Sequence, residues 1–185
     1  MRESRRIDYS IDGPIAIIAM NRPPVNAIDH QMIDAIHDGL LEADANEEVR
    51  AVILTSALPG MFCGGMDLRM VAAGDSLDLR DFVYKFYMKT MDIQYAMKKP
   101  TIAAVNGPAI GAGFDLACMC DFRIMTNNAY LAESFINLGI IPGDGGAFFL
   151  QRLIGYQKAA ELTLTGRKVT AEEALNLAKE NSTCF

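Results

Sequence analysis

Histidine is nearly absent from this sequence: His30 and His37 are the two among 185 residues. They form no HxxxH pair, and the cysteines Cys63, Cys118, Cys120 and Cys184 form no CxxC pair. A resident metal is therefore not expected, since a metal site needs several such ligands at suitable spacing. The same cysteine pattern fits no disulfide framework and points to a reducing, cytoplasmic setting. No apolar run approaches the roughly 20 residues of a membrane-spanning helix, and the first six residues lack the apolar core of a secretion signal. Basic residues are outnumbered 17 to 23, giving a formal net charge of −6, which argues against a nucleic-acid partner. The G-x-x-x-x-G-K-[ST] phosphate loop and the G-x-S-x-G hydrolase elbow are both missing. Gly111-Ala112-Gly113 lacks the third glycine of G-x-G-x-x-G.

What remains is an ordinary globular composition, 51% hydrophobic and 22% charged, over a length that suits one domain with a proper core. Residues 7–20 read as two short strands around the turn Asp12-Gly13-Pro14. Residues 31–46 place Met32, Ile33, Ile36, Leu40 and Leu41 at helical spacing. Strands are expected over 49–56, 101–105 and 122–126. Helices are expected over 79–97, 111–120, 145–154 and 156–164, with a last one opened by the capping box Thr170-x-x-Glu173. Strands and helices alternate, so the fold class is α/β with parallel strands.

Two glycine-rich turns carry the chemistry. One is Met61-Phe62-Cys63-Gly64-Gly65-Met66-Asp67-Leu68; the other is Gly107-Pro108-Ala109-Ile110-Gly111-Ala112-Gly113-Phe114-Asp115. Each follows a strand and leads towards a helix. A helix start exposes backbone N–H groups that hold a developing negative charge. If adjacent strands bring the turns together, two donors can converge on one oxyanion. Asp115 sits just inside its helix, where a carboxylate can move a proton; the helix macrodipole alone would also account for it. A third loop, Gly139 to Gly146, opens the next helix and contains Asp144, which also reads as a capping acid.

In order and spacing these segments resemble the enoyl-CoA hydratase/isomerase, or crotonase, family. The likeness rests on Asn21-Arg22-Pro23-Pro24-Val25-Asn26-Ala27, Phe62 to Leu68, Lys99 to Gly107, Ile110 to Leu116, Cys120 to Arg123 and Gly139 to Gly146. The resemblance implies a spiral of ββα repeats in one core domain over residues 1–185. It also implies a homotrimer or dimer of trimers, and an acyl-CoA thioester as substrate with no separate cofactor. It carries over the Met66 and Ala112 N–H groups as oxyanion donors. Ala27, Gly64, Gly65, Met66, Asp67, Leu68, Gly111 and Phe135 fall where the family contacts substrate and CoA. The family continues into a C-terminal helical segment that this sequence lacks, so a core truncated at its C-terminus is expected.

The chain departs from the family at the acids. Hydratases of the family use two glutamates; the first falls at Asp115 and the second at Phe135, which cannot transfer a proton. One carboxylate suffices for isomerisation, so proton transfer by Asp115 is the favoured reading. Glu133 and Asp144 are the candidates for a second acid if the enzyme adds water. A CoA-ester-binding paralogue with little catalysis is the alternative outside enzymology. A C–C hydrolase on a cyclic β-diketone ranks low, because both histidines lie in or beside the first helix, away from the loops. The Met- and Phe-rich stretch 79–97 reads as a helix burying one stripe, in a region that borders the family's acyl pocket.

Overall fold

The computed structural model describes residues 6–73 and 76–181; Cys184 lies outside them. The chain opens with a hairpin, β1 (Ile7–Asp12) and β2 (Ile15–Met20), turning at Gly13 with φ 54°. The first helix, α1 (His30–Ala45), starts at Asp29, whose carboxylate accepts from the Met32 N–H at 2.8 Å. It buries Met32, Ile33, Ile36 and Leu40, as expected from their spacing, together with Ala43, whereas Leu41 of the expected stripe is exposed. Strand β3 (Ala51–Ser56) follows, then the short helix α2 (Leu68–Ala72).

Between α2 and β4 (Thr101–Val105) the expected single helix is divided. It runs as α3 (Ser76–Tyr84), a π turn over Lys85–Lys89, and α4 (Thr90–Ala96). The wider turn inserts one residue into the helical register. Phe82 and Phe86, one helical turn apart, are both fully buried, with ring centroids 5.9 Å apart.

Next come β5 (Ala109–Ile110), α5 (Ala112–Met119), β6 (Phe122–Met125) and β7 (Tyr130–Ala132). A 3-10 turn over Ser134–Leu138 leads to α6 (Gly146–Ile154), α7 (Tyr156–Thr165), β8 (Lys168–Thr170) and α8 (Ala171–Glu180). One half of the capping box forms: the Thr170 hydroxyl accepts from the Glu173 N–H at 3.2 Å, while the Glu173 carboxylate accepts from Arg167. Strands β5, β7 and β8 escape the sequence reading because two or three residues show no alternation.

Five strands form the main sheet in the order β1-β2-β3-β4-β6, parallel from β2 onwards. The second sheet has the order β5-β7-β8. Ala16, Ile18 and Met20 of β2 and Val52 and Leu54 of β3 point into the core. Helix α5 is buried on all sides, which explains why its sequence is apolar throughout except for Asp115. No helix among the described residues is long and apolar enough to cross a membrane, and no group of three or more His, Cys, Asp or Glu side chains is arranged to hold a metal.

Gly107 is where the two glycine turns meet most tightly. A Cβ there would lie 2.3 Å from the Gly60 carbonyl carbon and oxygen and 2.5 Å from the Met61 nitrogen. All three atoms are backbone, so no side-chain rotation relieves the clash. Gly107→Ala is expected to destabilise the fold by at least about 3 kcal/mol, read as a lower urea midpoint at unchanged m-value.

Candidate active site

Backbone hydrogen bonds stitch the two glycine turns together. The Phe62 and Cys63 N–H groups both donate to the Pro108 carbonyl at 3.1 Å, and the Ile110 N–H donates to the Cys63 carbonyl at 3.0 Å. On its other side the first turn is held by Gly64 N–H to Val25 O at 2.7 Å and Ile28 N–H to Gly65 O at 2.8 Å. Gly65 has φ 95°, and a Cβ there would lie 2.7 Å from the Ile110 carbonyl oxygen and 3.6 Å from the Ala112 nitrogen. The backbones of the two turns are thus in direct contact.

Met66 and Ala112 line one cavity of about 180 Å³, together with Gly64, Gly65, Leu68, Gly111 and Phe135. Ala112 is the first residue of α5, preceded by Gly111 at φ 51°, so its N–H has no partner within the helix. Among the described residues, neither the Met66 nor the Ala112 N–H donates to a backbone carbonyl in the loops. The site thus offers two amide donors on one small cavity.

A second, larger cavity of about 590 Å³ adjoins the first and shares Met66, Phe135 and Ile140 with it. Leu79 and Val83 of α3, Ile141, Gly143 and Asp144 complete most of its wall. The lining is predominantly apolar, as suits an acyl chain. Phe135 separates the two spaces; its ring lies 3.6 Å from where a Cβ on Gly111 would stand. Phe135, which the resemblance sets at the second acid position, is thus part of the wall of both spaces.

The carboxylates show the feature that the sequence concealed. Asp115, Glu133 and Asp144, far apart along the chain, come together with exposures of 0%, 1% and 1%. A Cβ on Gly146 would lie 2.3 Å from both Asp115 Oδ1 and Glu133 Oε1, so those oxygens are at most twice that distance apart. Burial raises the Asp115 carboxyl well above the usual carboxylate range; the charges of Glu133 and Asp144 push it further, against a weak opposing effect of the Gly146 N–H. Burial also raises Glu133 to about 7, with the Asp144 charge adding to it and a hydrogen bond to Asp115 opposing it. Burial alone raises Asp144 to about 7. Among the described residues, no oxygen of Asp115 or Glu133 has an N–H or O–H partner with good geometry, and Asp144 Oδ2 has none either.

The three acids differ in access. Asp144 lies in the wall of the larger cavity. Asp115 and Glu133 line neither cavity. The sequence reading put the moving proton on Asp115; the structure encloses that side chain and presents Asp144 to the chamber. The Gly143-to-Gly146 loop that carries Asp144 is braced by α3 and the π turn. A Cβ on Gly145 (φ 105°) would meet Tyr87 Cδ2 at 2.9 Å, and Tyr87 also packs edge-on to Phe149.

Ala27 and Asp67 are in neither cavity wall. The Ala27 carbonyl accepts from Arg22 Nη1. Asp67 accepts from Arg69 Nη2 at 2.6 Å and Arg22 Nη2 at 2.7 Å, and these bonds hold its carboxyl well below the usual range. Asp67 ties the first glycine turn to the Arg22 segment. His37 is buried in α1 against the Thr90 hydroxyl at 2.9 Å and lines neither cavity.

Comparison with known proteins agrees with this geometry. The enoyl-CoA hydratase/isomerase family model matches residues 10–178. YngF of Bacillus subtilis, named as a candidate enoyl-CoA hydratase/isomerase, is 40% identical over 161 residues, covering 86% of this chain and 62% of that protein. A carnitinyl-CoA dehydratase from Salmonella enteritidis is 37% identical over 172 residues, covering 93% and 65%. The chain thus spans somewhat under two thirds of the length of these relatives. Among solved structures, an enoyl-CoA hydratase from Bacillus anthracis superposes with a TM-score of 0.88 at 34% identity, covering 94% of this chain and 67% of the other. DspI of Pseudomonas aeruginosa superposes at 0.90 with 28% identity, covering 97% and 73%. Stitched glycine turns, an apolar chamber beside them and a match over almost the whole sequence lead to one assignment: the chain belongs to the enoyl-CoA hydratase/isomerase family and has the crotonase fold.

Proposed function

We propose that this protein isomerises an enoyl-CoA thioester by moving a proton between carbons of an enolate. The Met66 and Ala112 N–H groups receive the thioester oxygen in the smaller cavity, and the acyl chain extends into the larger one. Asp144 takes a proton from the chain and returns it at a second carbon. Asp115 stands behind Asp144 and acts through it. The reaction needs no cofactor beyond the CoA that the substrate carries.

The observation that carries this reading is the single carboxylate in the wall of an apolar chamber beside two free backbone donors. Water addition is best served by an acid and a base that both reach the same water. Here Phe135 stands at the second position and Glu133, unlike Asp144, lines neither cavity. The hydratase reading draws on the same cluster, whose unpartnered oxygens suit a bound water. Turnover of an enoyl-CoA in water enriched in heavy oxygen separates the two. Isomerisation gives a shifted double bond with no solvent oxygen in the product; incorporated oxygen would establish hydration. Binding of CoA esters with no turnover across several acyl lengths would instead identify a non-catalytic paralogue.

A further inference from the structure

We infer that Asp115 and Glu133 hold one proton between them as a closed store, which Asp144 connects to the substrate chamber. The inference rests on the isomerase reading above and goes beyond it, because a single carboxylate would complete that reaction without such a store.

Three observations support it. First, the pair is enclosed: all three acids are buried, and Asp144 alone of them lines either of the two cavities. Second, the pair lacks donors. Four carboxylate oxygens lie without an N–H or O–H partner in good geometry, an arrangement that costs several kcal/mol when both groups are ionised. A proton shared between the two carboxyls supplies the missing donor. Third, the packing is specific: α6 approaches through Gly146, and any larger residue there would strike both carboxyls at once.

The groups facing the pair are few. Asp144 approaches from the loop before α6, and its charge acts on both acids. Cys118 lies on α5 and feels both of them, and Arg123 of β6 acts on Cys118. No lysine or arginine is among the charges that set Asp115, Glu133 or Asp144.

The proton balance closes within the cluster. In the active form, above about pH 7 where Asp144 is ionised, the three carboxyls carry one proton, shared by Asp115 and Glu133. Abstraction breaks a substrate C–H bond, leaves the electron pair on the enolate and brings the cluster to two protons. Return of either proton to a second carbon restores the active form. Because the store opens only through Asp144, the two protons scramble with each other and not with water.

An isotopic crossover experiment on the intact protein tests this. One enoyl-CoA population carries deuterium at the abstracted carbon and a second carries a heavy-carbon mark and no deuterium. Transfer of deuterium to the carbon-marked product, with little loss to water, is expected. Deuterium kept within its own molecule would mean that Asp144 works alone, and washout to water would mean that the site is open; either result overturns the store. Glu133→Gln is expected to convert crossover into retention and to lower kcat roughly tenfold or more with little change in KM.

A measurement without substrate separates this inference from the reading beneath it. Infrared spectra of the free protein at a pH well above about 7, where Asp144 is ionised, should show a protonated carboxyl band that Asp115→Asn removes. If enoyl-CoA turnover is absent but the band is present, the isomerase reading fails and the shared proton stands. If all carboxyls are ionised at that pH, the store is overturned.

Discussion

Asp144→Asn is expected to lower kcat by about 10²–10⁴-fold while leaving CoA-ester affinity within a few-fold, the usual scale for loss of a positioned acid–base group. Asparagine keeps the volume and most of the polarity of the side chain, so the loop between Gly143 and Gly146 keeps its packing against Tyr87. What it loses is the capacity to accept a proton. The sign of the pH dependence follows from the burial of Asp144, which raises its carboxyl to about 7. Below that pH the group is protonated and cannot act as a base, so kcat/KM for the parent protein should rise with pH through about 7. The rising limb should be missing from the residual activity of Asp144→Asn. Steady-state kinetics from pH 5.5 to 8.5 (roughly, a decade or more either side of the midpoint) and calorimetry with a non-reactive CoA ester make the test. Full activity in the variant would remove Asp144 from the reaction and return the proton to Asp115.

Ala112→Pro is expected to reduce kcat by about 10²–10³-fold, or about 3–4 kcal/mol in the barrier, the scale for losing one oxyanion donor. The argument concerns a single hydrogen atom. Ala112 is the first residue of α5, the position at which a helix accepts proline most readily because the N–H has no partner inside the helix. The substitution deletes the donor and asks little of the rest of α5. Ala112→Gly is the control: it retains the N–H and should stay within about tenfold of the parent. An unfolding midpoint close to that of the parent in both variants would assign the kinetic loss to the donor. Equal loss of activity in both would place the effect in packing, since Ala112 is itself fully buried.

The two largest features of the site differ in how far the sequence shows them. Both glycine turns are legible because their strands and turn residues lie within short windows, and the matching spacing identifies the family. The division of the helix over Ser76–Ala96 is not legible, because a π turn shifts the register by one residue without disturbing the apolar pattern. The convergence of Asp115, Glu133 and Asp144 is a long-range event created by β7 and the loop before α6. The local signal for it was the Gly145-Gly146 pair, which sequence reading treats as a helix start. In the structure Gly146 has no side chain because two carboxyls occupy the space. The enclosure of Asp115 was equally hidden, since no pattern in Ala112–Met119 distinguishes an acid facing a substrate from one facing other acids.

The stitched glycine turns have a consequence for how such a protein diversifies. In the proposed reaction the groups aimed at the thioester oxygen belong to the main chain, and the turns that carry them are held by main-chain bonds from Phe62, Cys63 and Ile110. Side chains at Met66, Phe135 and Ile140 can therefore be exchanged to admit a different acyl group while the charge-stabilising device stays in place. Acyl selectivity then resides in side chains and oxyanion stabilisation in the main chain, whose close approach at Gly65 and Gly107 leaves no room for a Cβ.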